Sequence, residues 1–241
     1  MMKSILARAQ KLAEHFRNGN IPRLAQHEVN PGLEPGSREN YLYFTLAPCL
    51  NFQRSSPALW RAANSTYQDS KTNFVFFPEK VMKVSDAELK AALVKHSLAV
   101  QTNKHPLIWR AITTSLHNHY SSDPREIIRA GDGDLLKILN LVQVEQKPLF
   151  PYLSGPKLSN YWLFILAHFT DVKLKNLNDL SIIPDTHIIK SSIKLGVVPD
   201  GASPLDVDLA WRELLRGSEL TPLELHSVLW NWSRNDFQPS V

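Results

Sequence analysis

The chain has 241 residues, of which 43% are hydrophobic and 21% charged, and it carries a net charge of +4 with a pI near 9.1. This is ordinary globular composition, with enough material for one large domain or two small ones. The single cysteine, Cys49, excludes an internal disulfide framework and a cluster of cysteine ligands, and it indicates a reducing compartment.

No targeting or membrane signal is evident in the sequence. The N-terminal stretch MMKSILARAQKLAEHF carries charges throughout and lacks an apolar core, so we expect no secretory signal. The longest apolar run, 161–167, is far shorter than the roughly 20 residues of a membrane-spanning helix. We therefore expect a cytoplasmic protein without membrane contact. Its basic charge is compatible with a polyanionic partner.

Apolar residues at helical spacing, together with capping residues, predict helices along nearly the whole chain. Pro48 predicts a kink or break after the buried segment 38–47. Only 73–78 has the composition of a strand. The fold class is therefore expected to be all-α. Helix starts are predicted at Ser85-Asp86-Ala87-Glu88, Asp123-Pro124, Ser203-Pro204-Leu205-Asp206 and Thr221-Pro222-Leu223-Glu224.

The stretch 150–194 combines a turn, a lysine and an aspartate, each at a helix entrance. Ser154-Gly155-Pro156 turns the chain before Lys157, and Asp185 precedes Thr186-His187-Ile188-Ile189 in the position of an N-cap. One amine and one carboxylate, each at a helix entrance, would converge if the two helices pack together. The ordinary interpretation of each alone is a solvated lysine and a structural cap.

Other candidate sites are weaker. Asp132-Gly133-Asp134 has the start of a calcium loop but lacks its later ligands, and His117 and His119 point to different helix faces. We expect no metal site and no cofactor.

Three motifs resemble the helix-hairpin-helix DNA glycosylases related to endonuclease III. Gly155-Pro156-Lys157-Leu158-Ser159-Asn160 matches the Gly-x-Lys-x-x-Asn pattern that follows the family's hairpin. Pro184-Asp185-Thr186-His187-Ile188 is similar to its Val-Asp-Thr-His-like motif, and Leu50-Asn51-Phe52-Gln53 to its Leu-Ser-x-Gln. The segment from Ala210-Trp211 to Trp230 resembles the archaeal 8-oxoguanine glycosylase branch. The hairpin retains only the second of the family's two glycines, and the four-cysteine cluster is absent, so no iron–sulfur centre is expected.

The resemblance implies two helical domains with a helix-hairpin-helix motif at the cleft between them. One domain would comprise 38–168, ending in the hairpin and the Lys157 helix. The second would comprise 1–37 and 169–241 and carry Asp185. The implied partner is double-stranded DNA containing a damaged base, and the protein is expected to be a monomer, nucleoid-associated if prokaryotic.

The implied activity is a base-excision glycosylase with AP lyase activity. Lys157 would attack the sugar C1′ and form a Schiff base, and Asp185 would stabilise the positive charge that develops on the sugar. Gln53 would fill the gap that the extruded base leaves, with Asn51 and Arg54 available to the opposite base or a phosphate. The backbone of Ser154 and Gly155 would bind phosphate. The C-terminal resemblance implies an oxidised base as substrate.

Two alternatives remain open from the sequence. One is an N-glycosidic hydrolase that acts on a nucleoside or nucleotide with Asp185 and water alone. The other is a non-catalytic helical module that binds DNA or another partner, in which Lys157 only contacts phosphate.

Overall fold

The protein is all-α, as its sequence predicts. The computed structural model describes residues 2–23 and 28–241, and no strand is assigned in either range. None of the helices in this part of the chain is long and apolar enough to span a membrane. The α-helices are α1 (Met2–Arg17), α2 (Arg38–Leu46), α3 (Ser56–Gln68), α4 (Pro78–Val81), α5 (Asp86–Lys95), α6 (His105–His119), α7 (Arg125–Ala130), α8 (Leu135–Asn140), α9 (Pro156–Phe169), α10 (Thr186–Lys194), α11 (Pro204–Leu215) and α12 (Pro222–Arg234).

The chain divides into two compact units. The central unit is His27–Lys175, and the terminal unit is Met1–Gln26 together with Asn176–Val241. These boundaries differ from the expected 37/38 and 168/169, because the flanking segments are hydrogen-bonded to the central unit. The Tyr43 hydroxyl donates to the Val29 carbonyl at 3.0 Å. At the other boundary, the Tyr41 hydroxyl donates to Asp171 Oδ1 at 2.8 Å.

Buried aromatic rings form the core of the central unit. Helix α2 is buried along its length from Asn40 to Leu46, and it packs against α9. Each buried indole has a hydrogen-bond acceptor, as a buried donor requires. Trp109 Nε1 donates to the Val75 carbonyl at 2.8 Å, and Trp162 Nε1 donates to Thr45 Oγ1 at 3.0 Å.

The terminal unit has its own core, built on α10 and α12 with α1 and α11. Trp211 on α11 is fully buried, and its Nε1 donates to Ser192 Oγ at 2.8 Å. The Ser191 hydroxyl donates to the Leu229 carbonyl at 2.8 Å, which ties α10 to α12. These contacts fix the position of α10, the helix that Asp185 caps.

The N-capping residues predicted from the sequence are confirmed at several helices. Ser85 forms a complete capping box with Glu88, and Ser203 forms one with Asp206. The Thr221 side chain accepts from the Glu224 N–H. The predicted break at Pro48 is also confirmed, since α2 ends at Leu46 and a 3₁₀ segment follows it.

The strand-like segment 73–78 is helical instead. Asn73–Phe76 is a 3₁₀ turn, and α4 begins at Pro78. A strand requires a neighbouring strand to pair its backbone N–H and C=O groups, and the described residues contain no strand. The Phe76 ring packs edge-on against Trp109 at 5.5 Å, so the aromatic residues that suggested a strand fill the core from a turn.

Candidate active-site residues

Lys157 lies in the first turn of α9, as predicted, directly after a tight connection. The Ser154 N–H donates to the Phe150 carbonyl and the Gly155 N–H to the Tyr152 carbonyl, both at 2.9 Å. Gly155 is the N-cap of α9, and a Cβ added there would lie 3.1 Å from the Tyr152 oxygen. The turn is therefore tight at the position where the family-like motif has glycine.

The Lys157 side chain is exposed, and its ammonium group has no hydrogen bond or ion pair to any residue that the structure describes. The N–H groups of Lys157 and Leu158 precede the first intrahelical bond of α9, in which Ser159 N donates to Gly155. Helix α9 thus begins with an unpaired cation and two free backbone donors, an arrangement that suits an anionic ligand.

One helical turn beyond Lys157, the Tyr161 hydroxyl occupies a polar network that sequence reasoning missed. It accepts from Trp60 Nε1 at 3.0 Å, lies 3.3 Å from Ser56 Oγ, and donates to Glu28 Oε1 at 3.1 Å. Burial, and then the Glu28 charge, raise the pKa of Tyr161 well above its usual value. The i to i+4 spacing from Lys157 was the available signal, since it places Tyr161 on the same helix face.

Gln53 lies in the turn that follows the 3₁₀ segment after α2. Its backbone is left-handed (φ 51°), its side chain is exposed, and its Oε1 accepts from Gln101 Nε2 at 3.2 Å. Asn51 ends the 3₁₀ segment, with its N–H donating to the Pro48 carbonyl. The Arg54 side chain points towards the 97–98 turn and not towards solvent.

The Arg54 guanidinium donates to two carbonyls of the 97–98 turn. Nη1 reaches the Leu98 oxygen at 2.7 Å and Nη2 the Ser97 oxygen at 3.2 Å. Burial lowers the pKa of Arg54 from its ordinary value. In this structure the two hydrogen bonds of Arg54 to backbone carbonyls hold the loop that carries Gln53 against the 97–98 turn.

The central unit brings the Gln53 turn and the turn before Lys157 into contact. The rings of Phe52 and Tyr152 stack at 4.4 Å between centroids with 12° between their planes. The stack therefore links the turn of Gln53 to the connection of Ser154 and Gly155, which leads directly into the first turn of α9 and Lys157. No short sequence pattern indicates this contact, because Phe52 and Tyr152 lie far apart along the chain.

His105 lies beneath these loops, fully buried, and its ring meets Phe52 edge-on at 5.1 Å. Neither ring nitrogen has a hydrogen-bond partner of acceptable geometry, although the Leu98 carbonyl is near enough to favour the protonated form. Burial, followed by the charges of Arg54 and Lys104, lowers the pKa of His105 from 6.5 to about 4. His105 is therefore neutral at physiological pH.

We expect the free energy of unfolding of the His105→Leu variant to depend less on pH than that of the wild-type protein. The unfolded chain binds a proton at His105 near pH 6.5 but the folded chain only near pH 4, so the free energy of unfolding falls as the pH decreases through this window. The free energy of unfolding lost through His105 between pH 6.5 and pH 4 is about 3 kcal/mol, since each unit of pKa difference corresponds to about 1.4 kcal/mol. Urea unfolding at several pH values measures it. An unchanged pH slope in His105→Leu would contradict this assignment.

Asp185, in the terminal unit, is the N-cap of α10, as predicted. Its Oδ1 accepts from the His187 N–H at 2.8 Å and the Ile188 N–H at 2.9 Å. No hydrogen bond to Oδ2 is present among the described residues, and the side chain is partly exposed. One carboxylate oxygen thus fixes the orientation of the carboxylate group at the start of α10.

The backbone before Asp185 is strained. Ile183 is buried with φ 54°, a conformation that β-branched residues rarely adopt. Its N–H donates to Ser181 Oγ at 3.0 Å, and the neighbouring Ile182 N–H donates to Asp208 Oδ1 at 3.1 Å. Strain of this kind persists only where surrounding contacts enforce it, and it is common near functional groups.

His187 is held on the same turn as Asp185. Its Nδ1 lies 3.1 Å from Ser233 Oγ, and its ring meets Trp230 edge-on. Burial lowers the pKa of His187, and the Asp185 charge opposes this shift.

The two candidate catalytic residues belong to different units: Lys157 to the central unit and Asp185 to the terminal unit.

No group of three or more potential metal ligands occurs among the described residues. No protein-family model matches the chain, and no curated protein matches it either.

Proposed function

We propose that this protein is a DNA base-excision glycosylase with AP lyase activity that uses Lys157 as its nucleophile and Asp185 as its charge stabiliser. The observation that supports this most directly is the exposed, unpaired ammonium group of Lys157 at the start of α9. It lies beside two free N–H groups and a tight turn, which suits a group that must approach a sugar-phosphate backbone.

The chemistry has four steps. The damaged base leaves the helix stack at a cost of a few kcal/mol. After its ammonium group has lost a proton to solvent, the Lys157 amine attacks the sugar C1′, and the C1′–N bond breaks as the base departs with the electron pair and acquires a proton. Loss of the amine proton and opening of the ring produce a Schiff base on C1′. Removal of the C2′ proton finally expels the 3′ phosphate and nicks the strand.

Asp185 supports the step in which positive charge grows on the sugar. Its Oδ1 is fixed by two N–H donors, so the carboxylate is oriented before substrate arrives. This preorganisation favours an electrostatic role for the free Oδ2. The proposal requires Lys157 and Asp185 to act on the same nucleotide.

In this proposal Gln53 fills the space of the extruded base, since its amide is exposed on a turn beside the hairpin. The free N–H groups of Lys157 and Leu158 bind the phosphate in this proposal, whereas the N–H groups of Ser154 and Gly155 donate to the Phe150 and Tyr152 carbonyls and hold the turn in shape. Arg54, which the structure shows bound to Ser97 and Leu98, contributes by holding the Gln53 turn in place.

Product analysis on a duplex that contains one oxidised purine tests the proposal. We expect release of the free base and a strand nicked by β-elimination, with both products lost in a Lys157→Gln variant. Base release without a nick, dependent on Asp185 alone, would favour the hydrolase. DNA binding without any product would favour the non-catalytic module.

A further inference from the structure

A second feature of the central unit lies beside the proposed active-site residues and has no role in the chemistry above. The stacked rings of Phe52 and Tyr152 are accompanied by the Lys104 amine, whose Nζ lies 4.5 Å from the Tyr152 centroid and 5.3 Å from the Phe52 centroid. We call these three residues the aromatic platform.

The platform is not ordinary core packing. The large aromatic side chains of the central core, such as Trp60, Trp109 and Trp162, are fully buried, whereas Tyr152 remains 39% exposed. Core packing alone gives no reason for a tyrosine that stacks on a neighbouring ring and is still this exposed. The exposed part of Tyr152 is therefore available to a ligand.

The backbone holds Tyr152 in an unfavourable conformation. Its φ of 65° is in the left-handed region, which glycine adopts at little cost and other residues adopt rarely. A glycine would satisfy the turn, yet the position has a large aromatic side chain. A strained residue that presents an exposed ring is a reason to look for a function at that ring.

The charge of the platform is positive and uncompensated. Lys104 is exposed and forms no ion pair with any described carboxylate. Arg54 follows Phe52 by two residues and Lys157 follows Tyr152 by five, so both cations belong to the segments that carry the platform rings. The side chain of Gln53, next to Phe52, is hydrogen-bonded to that of Gln101. Aromatic faces combined with unpaired cations are the usual composition of a single-stranded nucleic-acid site.

We infer that the aromatic platform binds one unpaired nucleotide of DNA, with its base stacked on Tyr152 and its phosphate attracted by Lys104. The inference rests on the proposed function for the choice of DNA as the ligand, and it deepens that function by naming the part of the substrate that the central unit holds. It concerns binding alone, so it is testable without any catalytic step.

The test uses a short single-stranded oligodeoxynucleotide that carries 2-aminopurine, a fluorescent base that is quenched when it stacks. Wild-type protein should bind it and quench the fluorescence. Tyr152→Gly, which removes the ring and relieves the backbone strain, should weaken binding by about 10-fold and abolish the quenching. Tyr152→Phe should preserve both the affinity and the quenching.

A matched pair of lysine variants tests the charge. Lys104→Gln should weaken binding and reduce the salt dependence by about one counterion. Lys83→Gln removes the same charge from an exposed site without aromatic contact, and it should change neither property. Circular dichroism establishes that each variant is folded.

Equal affinity and equal quenching in wild-type protein and Tyr152→Gly would overturn the inference. Tighter Tyr152-dependent binding of the matching oligoribonucleotide would overturn the choice of DNA. The proposed function fails separately. Tyr152-dependent binding without any base release from a damaged duplex would contradict the proposed glycosylase activity but not the nucleotide site on the platform. Base release by the wild-type protein, with unaltered oligonucleotide binding by Tyr152→Gly, would contradict the nucleotide site but not the glycosylase activity.

Discussion

Lys157→Gln is expected to abolish strand cleavage at an abasic site and to reduce base release by roughly 10³-fold or more, the scale on which removal of a nucleophile acts. Gln retains the length and polarity of the side chain but has no amine to attack C1′. Because Lys157 is exposed and has no described partner, its replacement removes no internal contact, and the thermal midpoint should stay within about 1 °C of wild type. Single-turnover kinetics on a damaged duplex measure the loss.

Lys147→Gln provides the matched control. Lys147 is an exposed lysine in the same connection that leads to α9, so its removal changes the local charge equally. We expect nearly normal turnover and slightly weaker binding of DNA. If Lys147→Gln and Lys157→Gln reduce cleavage to the same extent, the effect is one of general charge and Lys157 is not the nucleophile.

Asp185→Asn is expected to reduce base release by roughly 10²- to 10³-fold while the protein stays folded, as for the loss of one preorganised electrostatic contact. Asn is as good an N-cap as Asp, so the bonds to the N–H groups of His187 and Ile188 remain possible. Only the interaction of the charge with the helix dipole is lost, at about 0.3–1 kcal/mol. The change thus separates the charge of Asp185 from its structural role.

Asp185→Ala removes both roles. In addition to the loss of activity, we expect the free energy of unfolding to fall by about 1 kcal/mol because two backbone donors lose their acceptor. Asp134→Asn makes the same chemical change at the N-cap of α8 and should leave base release unchanged. If Asp185→Asn cleaves normally and Asp185→Ala is merely less stable, the carboxylate is a cap and nothing more.

The sequence predicted those features whose causes are local. The Ser85 capping box involves residues three apart, and Asp185 bonds to groups two and three residues away, so each follows from a short pattern. Lys157 at the start of α9 follows from Gly155 and Pro156 for the same reason. Hydrophobic spacing predicted the all-α class because helices bury one face at a regular interval.

Features that depend on distant partners were missed. The segment at Asn73–Phe76 looks like a strand because its residues are aromatic and β-branched, but the packing partner Trp109 selects a turn. The stack of Phe52 on Tyr152 and the inward hydrogen bonds of Arg54 require knowledge of which loops meet. Patterns within a short window carry no such information.

Borohydride trapping of wild-type protein on a duplex with one abasic site is the most direct test of the proposed function. Reduction of a Schiff base converts it into a stable amine, so the proposal predicts a covalent protein–DNA adduct that peptide mapping locates at Lys157 and that disappears in Lys157→Gln. The absence of any adduct with the wild-type protein, or an adduct on another lysine, would contradict it.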